Sequence, residues 1–210
     1  WLQTIKNTEH AEPLIALLRS LIEDKTLSED IKAELIAIPS FDAIAESYQT
    51  IDVEEIIDGI EFAVTQAASS LYPLIMDNLS MLQNIENFYS GELVAKRRLK
   101  QVFFNYLARQ KSNDVSEFIS HSFNLANNMT ERMLCVDAAR INNGNLLTEL
   151  LQRMDAEFGG NVLVLDKILS SVGQVADDSV YSLMTQWTKH KDFSIKNPKR
   201  FRSLYGAFIM

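Results

Sequence analysis

The chain has 210 residues, a formal net charge of −8, 47% hydrophobic residues and 23% charged residues. This balance is typical of a soluble globular protein with a sizeable core, and the acidic surplus argues against a general nucleic-acid binder. No apolar run approaches the roughly 18 residues of a membrane span. The one cysteine, Cys135, excludes an internal disulfide. Its apolar surroundings predict a buried residue in a protein of a reducing compartment.

Hydrophobic residues recur with helical spacing through nearly the whole chain. Glycine (7) and proline (4) are scarce, and no useful length alternates with the period of a strand. The pattern predicts about nine or ten helices of about 9 to 20 residues. Four stripes with i, i+3, i+4, i+7 spacing carry this prediction: Leu14, Leu17, Leu18, Leu21; Leu99, Val102, Phe103, Tyr106; Val180, Leu183, Met184, Trp187; and Phe201, Leu204, Tyr205, Phe208.

Polar residues mark the expected helix boundaries. Capping chemistry predicts helix starts at five places: Ser40, Asp52, Asp114 with Glu117, Thr130, and Asp177 with Asp178. Two glycine-containing turns, NNG at 142–144 and GG at 159–160, predict helix ends. Many antiparallel helices with short links and broad stripes are typical of a bundle or of stacked helix pairs. The spacing of the pairs favours an all-α, superhelical HEAT- or ARM-like array, and no linker divides residues 1–210, which predicts one domain.

A search for reactive constellations finds no catalytic or metal site in this chain. The three histidines, His10, His121 and His190, are too far apart in sequence to form a helical metal-ligand pair. Phosphate-binding glycine loops and the nucleophile elbow are also absent from the sequence. Neighbouring acids such as Glu54 and Glu55 point to different sides of a helix, so they indicate a helix amino end rather than an acid–base pair.

Two basic clusters remain. The first, Lys96, Arg97, Arg98 and Lys100, is interpreted as a solvated helix face. The second contains six Lys or Arg residues between positions 189 and 202, against one acid, Asp192.

Within the second cluster, Asn197 and Pro198 predict a helix start, since Asn is a good cap and Pro fits the first helical position. The cations that follow are misplaced, because the helix dipole disfavours each of them there by about 0.3–1 kcal/mol.

The last helix suggests a use for this charge. Arg200 and Arg202 flank its apolar stripe, and Gly206 lies one turn after Arg202 on the same side. A guanidinium, a small neighbour and a helix amino end together suit a carboxylate or another anion. The alternative is that an arginine at the stripe border pairs with an acid of the next helix.

The stretch HKDFSIKNPKRFRSLYGAF, residues 190–208, resembles the C-terminal region of the aminopeptidase N (alanyl aminopeptidase) family of zinc metallopeptidases. The block NPxRxRSLxGAF carries most of the resemblance. Four upstream segments are similar to this family in the same order: IPSFDAIAESYQTID (38–52), RRLKQVFFNYLA (97–108), LANNMTERM (125–133) and LVLDK (163–167). The resemblance therefore covers nearly the whole chain.

The resemblance implies a domain of an enzyme rather than a complete enzyme. In this family an all-α superhelix closes over the catalytic domain and encloses the peptide chamber. The zinc motif His-Glu-x-x-His and the amine-binding Gly-Ala-Met-Glu-Asn lie in an earlier domain, and neither occurs here. The segment alone is therefore expected to be inactive and free of cofactor, with zinc in the parent enzyme. The family continues for several helices beyond GAF, so we expect this chain to be a piece that lacks them.

The resemblance also assigns partners and residues. Arg202 would line the peptide channel and attract the C-terminal carboxylate or the backbone of the substrate. Arg200 and Asn197 are further channel candidates, with the helix cap as the alternative role of Asn197. The partners would be the catalytic domain of the same polypeptide and peptide substrates, in the cytoplasm, with no nucleic acid or membrane. The alternative function is a free-standing helical-repeat scaffold that binds another protein. An enzyme in its own right is disfavoured, because the constellations it needs are absent.

Overall fold

The computed structural model describes residues 1–6, 11–83, 85–86 and 88–209, with His10 among the residues outside it. This part of the chain is helical and contains no strand, which confirms the all-α prediction. Its helices are α1 Leu2–Lys6, α2 Glu12–Glu23, α3 Glu29–Leu35, α4 Phe41–Ala45, α5 Val53–Ser70, α6 Tyr72–Met81, α7 Gly91–Leu107, α8 Asn113–Leu125, α9 Met129–Asn142, α10 Gly144–Phe158, α11 Val162–Gly173, α12 Ser179–Trp187, α13 Pro198–Phe201, a π-helix Arg202–Gly206 and α14 Ala207–Ile209. Several of these are single turns, so the segments outnumber the nine or ten predicted helices.

The described chain forms two compact units, Trp1–Val115 and Ser116–Met210. In the first unit α5 contacts α1, α2, α4, α6 and α7, and α7 also contacts α3 and α6. Phe103, Phe104 and Tyr106 of α7 are almost fully buried. The Tyr106 hydroxyl donates a hydrogen bond to the Ile36 carbonyl oxygen at 2.8 Å. Burial raises the pKa of this hydroxyl, so it stays neutral and fixes α7 against the end of α3.

In the second unit α11 is the central helix. It contacts α9, α10, α12, α13, the π-helix and α14. Ile168, Leu169 and Val172 of α11 are fully buried. An apolar helix that is surrounded by neighbours has little surface left for water, which explains why its sequence VLVLDKILSSV contains so few charges. The C-terminal basic segment, residues 197–209, therefore packs against the most buried helix of this unit.

Most predicted boundaries are confirmed, and two are wrong. Ser40 and Asp52 cap α4 and α5 by accepting from Ala43 N–H and Glu55 N–H. The predicted capping box at Asp114 is wrong, because α8 begins at Asn113 and Ser112 Oγ accepts from Val115 N–H instead. The predicted start at Thr130 is wrong by two residues, since Asn128 caps α9 by accepting from Glu131 N–H. In both places a side chain slightly earlier reaches the free N–H groups first.

The other boundaries are confirmed. Asp177 Oδ1 accepts from Ser179 N–H at 2.8 Å where α12 begins. The two predicted ends are also present: Asn143 separates α9 from α10, and α10 ends before the GG pair. Gly160 of that pair has φ +88°, a conformation that glycine adopts easily and other residues rarely do.

The apolar stripes differ in how far they are buried. All members of the stripes on α7 and α12 are buried, as predicted. In α2, however, Leu17 is 53% exposed and Ile22 is buried instead. In the last stripe only Leu204 is fully buried, whereas Phe201 and Phe208 are about 40% exposed. The π-helix explains the exposure of Phe208, because its wider turn shifts later residues away from the α-helical spacing.

The basic cluster on α7 is not a simple solvated face. Lys100 is only 5% exposed, which corrects the prediction for that residue. Lys96 pairs with Glu92, and Arg98 pairs with Glu34 of α3. Arg97 donates to the carbonyl oxygen of Glu86 at 2.5 Å. These cations therefore bind acids and carbonyl groups of their own unit.

Candidate functional site

The C-terminal basic segment begins with the predicted cap. Asn197 Oδ1 accepts from Lys199 N–H at 3.0 Å and from Arg200 N–H at 3.4 Å, and Pro198 occupies the first helical position. Phe201 N–H donates to the Asn197 carbonyl oxygen at 3.0 Å. The first-turn donors of α13 are thus used within the protein. Asn197 acts as a cap here, and this helix amino end offers no free N–H group to an anion.

The misplaced cations are balanced by one carboxylate of α11. Arg200 pairs with Asp166 Oδ1, and the two side chains are only 5% and 10% exposed. Lys199 Nζ lies 2.8 Å from Asp166 Oδ2, although most of the lysine side chain is exposed. A buried charge pair of this kind costs several kcal/mol when one partner is removed, because the other charge then stays buried alone. For Arg200 the structure therefore shows the alternative that the sequence left open, a pair with an acid of another helix.

The π-helix that follows rests directly on the end of α11. A Cβ atom placed on Gly173 would lie 2.3 Å from the Leu204 carbonyl oxygen and 2.9 Å from Ala207 Cβ. Such separations are far below van der Waals contact, so only glycine allows the two backbones to approach this closely. Leu204 is fully buried at this contact. Single π-turns inside helices frequently occur at functional sites.

Arg202 lies between two anchors on α11, the Arg200–Asp166 pair and the Leu204–Gly173 contact, and it is exposed. Within the part of the chain that the structure describes, its side chain has no hydrogen bond or ion pair. Gly206 is its neighbour, as predicted, since a Cβ on Gly206 would lie 3.7 Å from Arg202 Cβ. That distance is ordinary contact, so an alanine would also fit there. Arg202 thus offers an uncommitted guanidinium, a group suited to bidentate recognition of a carboxylate.

The segment before the cap is tied to α10 through His190. Its Nε2 lies 3.2 Å from Asp155 Oδ1, and its Nδ1 accepts from Asp192 N–H at 3.2 Å. The ring stacks on Trp187 with centroids 5.8 Å apart. These contacts fix the residues that lead into the basic segment. The histidine is therefore held within the fold rather than presented to a metal.

A polar groove of about 350 Å³ runs along α11, and Asp166 is one of its walls. Its other walls are Met133, Asp137, Lys167, Ser170, Ser171 and Gln174. Burial raises the pKa of the Asp137 carboxyl, although Arg140 and Lys167 oppose this. Asp166 thus lines the groove and also binds the cations of the terminal segment.

Two further properties concern the described residues as a whole. No three His, Cys, Asp or Glu side chains converge there in a way that could hold a metal ion. None of the described helices has the length and apolar character needed to cross a bilayer.

The sequence predicts Arg202 as a channel residue and Asn197 as a cap, but it does not single out the residues of α11 that contact this segment. Asp166 lies in the family-like stretch LVLDK, and Gly173 lies outside all the family-like stretches. One signal was present for Asp166, because an acid inside an otherwise apolar helix needs a partner. The close contact at Gly173 has no signal in the sequence, since it depends on where the last helix lies.

Comparisons with known proteins identify the family of this chain. Residues 2–210 match a family model described as "Domain of unknown function (DUF3458_C) ARM repeats". The chain belongs to this family. The match also confirms the predicted ARM-like class of fold.

Two relatives are aminopeptidases. The chain is 28% identical over 196 residues to aminopeptidase N of Escherichia coli (strain K12), which covers 90% of this chain and 22% of the relative. It is 27% identical over 176 residues to aminopeptidase N of Haemophilus influenzae, which covers 83% of this chain and 20% of the relative. The resemblance to the aminopeptidase N family is confirmed, and the chain spans about a fifth of the length of these relatives.

A solved structure shows the same fold. The crystal structure of Legionella pneumophila aminopeptidase A in complex with aspartic acid matches with a TM-score of 0.78 at 24% identity. The match covers 93% of this chain and 24% of that chain.

Proposed function

We propose that this chain is the C-terminal helical domain of a zinc-dependent aminopeptidase that releases N-terminal amino acids from peptides. Its role is to enclose the substrate chamber and to line the peptide channel, while the catalytic residues lie elsewhere in the longer polypeptide. The observation that carries the proposal is Arg202, an exposed guanidinium without a partner among the described residues, in a chain whose relatives are aminopeptidases.

The chemistry assigned to this domain is recognition rather than catalysis. A peptide of two or more residues ends in a carboxylate, and an arginine binds a carboxylate through two parallel hydrogen bonds. Arg202 would attract that carboxylate as the peptide enters. Arg200 is committed to Asp166, and Asn197 to the backbone of α13, so both would support the channel without contacting the peptide.

We propose that the zinc of this enzyme is held by an earlier domain of the longer polypeptide. The chain lacks a His-Glu-x-x-His motif, and its described residues bring no three metal ligands together. We therefore assign no step to the metal through this chain, and we propose that the segment alone is inactive. Its partners would be the catalytic domain of the same polypeptide and peptide substrates, and a cytoplasmic location agrees with a single cysteine, Cys135, that is buried.

The proposal is tested in the full-length protein with Arg202→Ala. This change should raise KM for peptides by about tenfold, as expected for the loss of a charge-assisted hydrogen bond, and leave KM for a small amino-acid amide nearly unchanged. Equal effects on both substrates would contradict the carboxylate role. Absence of any aminopeptidase activity in the wild-type full-length protein would contradict the enzyme assignment.

A scaffold that binds another protein is the second candidate. It is favoured by exposed apolar residues of the first unit, Met81 and Tyr89, which are 81% and 90% exposed. Such side chains often mark interaction surfaces. A His-Glu-x-x-His motif upstream in the same reading frame would decide for the aminopeptidase, whereas its absence would decide for the scaffold.

A further inference from the structure

We infer that α11 positions Arg202 through two residues that do not themselves reach a peptide, Asp166 and Gly173. Asp166 holds the chain just before Arg202, and Gly173 holds it just after. This inference rests on the proposed function of Arg202, which it deepens by naming what fixes the backbone that carries its guanidinium. Asp166 and Gly173 are positioning residues in this sense.

The register of α11 brings the two anchors onto one face. Asp166 and Gly173 are seven residues apart, which is two helical turns, so they face the same side. Their partners, Arg200 and Leu204, stand two residues before and two residues after Arg202. The terminal segment therefore crosses α11 with Arg202 at the midpoint between its two contacts.

The Asp166 contact resists displacement because it is both charged and buried. Moving Arg200 away would leave its guanidinium and the Asp166 carboxylate unpaired where both are at least nine-tenths buried. Lys199 adds a second cation to the same carboxylate at 2.8 Å. Two consecutive residues of the segment are thus fixed to one acid.

The Gly173 contact fixes the other side by shape. The Leu204 carbonyl oxygen occupies the space that a side chain on residue 173 would need, and Ala207 packs next to it. Any larger residue must push the π-helix away from α11. Because Arg202 begins this π-helix, the displacement is transmitted to it through the backbone.

Arg202 depends on this support because nothing else among the described residues holds its side chain. The direction of its Cα–Cβ bond, and with it the region that its guanidinium can reach, is therefore set by the backbone. A misplacement of about 1 Å can lower the rate of an enzyme about a hundredfold when the group must meet its substrate in one geometry. The two contacts with α11 are therefore expected to matter for peptide recognition as well as for stability.

The test uses Gly173→Ala in the full-length protein, with Gly206→Ala as the matched control. Both changes add one methyl group, but the methyl on 206 meets only ordinary contact at 3.7 Å. Gly173→Ala should raise KM for a peptide by about threefold to tenfold and leave KM for an amino-acid amide unchanged. Gly206→Ala should change neither. Asp166→Asn, which keeps the size of the side chain, serves as a second variant if Gly173→Ala does not fold.

A double-mutant cycle separates positioning from a purely structural role. If α11 acts through Arg202, then Gly173→Ala and Asp166→Asn add nothing to KM for the peptide once Arg202 is alanine. A full additional effect in that background would overturn the inference. So would equal effects of Gly173→Ala on peptide and amide.

Hydrogen exchange separates this inference from the proposed function. Amides 199–209 should exchange faster in Gly173→Ala than in Gly206→Ala, while Arg202→Ala leaves them unchanged. If Arg202→Ala has no selective effect on KM, the proposed function fails, and the support by α11 is judged by exchange alone. Unchanged exchange in both Gly173→Ala and Asp166→Asn would then overturn the support as well.

Discussion

The chain contains two basic helical regions that look alike in sequence and differ in structure. Helix α7 of the first unit is one regular helix of 17 residues whose apolar stripe is buried throughout. The C-terminal segment of the second unit divides into α13, a π-helix and α14, and much of its stripe is exposed. In α7 the arginines find partners nearby, whereas in the terminal segment Arg202 finds none among the described residues.

This difference separates charge that is paired within its own unit from charge that has no partner among the described residues. A cation next to acids and carbonyl groups of its own unit needs no further explanation, and the cluster on α7 is of this kind. Arg202 differs, because the residues on either side of it are fixed to α11 while its own side chain has no partner among the described residues. The fold therefore keeps this cation in place although no contact within the described chain requires it. Such departures from local rules often mark functional sites.

The largest expected effect is on the free energy of unfolding, and it tests whether the stripe of α7 is more deeply buried than that of the terminal segment. Phe103→Ala in α7 should lower the free energy of unfolding by about 3–5 kcal/mol, because the side chain is fully buried. Phe201→Ala in the terminal segment should cost less than about 1 kcal/mol, because its side chain is 41% exposed. Urea titration measures both. Similar costs would mean that the terminal stripe is as well buried as that of α7.

The second prediction compares two arginine–carboxylate pairs. Arg200→Ala should cost about 3–5 kcal/mol, since it leaves Asp166 buried without its main partner. Arg98→Ala should cost no more than about 1 kcal/mol, because both side chains of its pair with Glu34 are more than half exposed. Replacing both Asp166 and Arg200 by leucine and methionine should recover most of the loss. If Arg200→Ala lowers the free energy of unfolding only slightly, the buried pair is not formed.

The helix caps give a third, smaller comparison. Ser90 caps α7 by accepting from Leu93 N–H at 3.2 Å, and Asn197 caps α13. Replacement of either by alanine should cost about 1 kcal/mol in thermal or urea unfolding. If Asn197 is a cap and nothing more, Asn197→Ala changes KM for peptide and amide alike. A selective rise for peptides would show that Asn197 contributes to peptide recognition, either by direct contact or by holding the segment that carries Arg202.

The smallest expected effect concerns how folding stability depends on pH, to which Glu92 and Asp137 contribute in opposite directions. A hydrogen bond from Lys96 lowers the pKa of Glu92 on α7, so this contact stabilises the fold at neutral pH and is lost as the pH falls through the lowered pKa. Burial raises the pKa of Asp137 in the second unit, so its charged form is disfavoured in the fold. Asp137→Asn should therefore stabilise the protein at neutral pH, and the gain should vanish below the ordinary pKa of Asp, 3.8.

Unfolding curves of Glu92→Gln and Asp137→Asn between pH 3 and pH 8 measure both effects. Glu92→Gln should lose a small amount of stability near neutral pH and none at the acid end. A destabilising Asp137→Asn at neutral pH would mean that its carboxylate is bound by a partner that offsets its burial.

Much of the fold followed from the sequence because helical periodicity and capping are local. The stripes of α7 and α12 and the caps at Ser40, Asp52 and Asn197 depend on residues within one or two turns, and all are present. The errors at Asp114 and Thr130 arose where two nearby side chains compete for the same N–H groups.

The site was harder to predict because its supports are not local. Asp166 meets Arg200 across 34 positions of sequence, and the contact at Gly173 depends on a π-turn that no spacing indicates. Arg202 was predicted as a channel residue from its unusual charge beside Gly206 and from the family resemblance, and this role stays a prediction. The sequence thus pointed to the exposed residue, and the structure supplied the residues that hold it.

The most direct test of the account compares one peptide in two forms, with a free C-terminal carboxylate and with a C-terminal amide. The full-length protein should bind the carboxylate form with the lower KM, and Arg202→Ala should abolish this preference. Arg98→Ala, which removes a paired arginine of the other basic region, should retain it. If Arg202→Ala keeps the preference of the wild type, the central claim that Arg202 recognises the peptide carboxylate is contradicted.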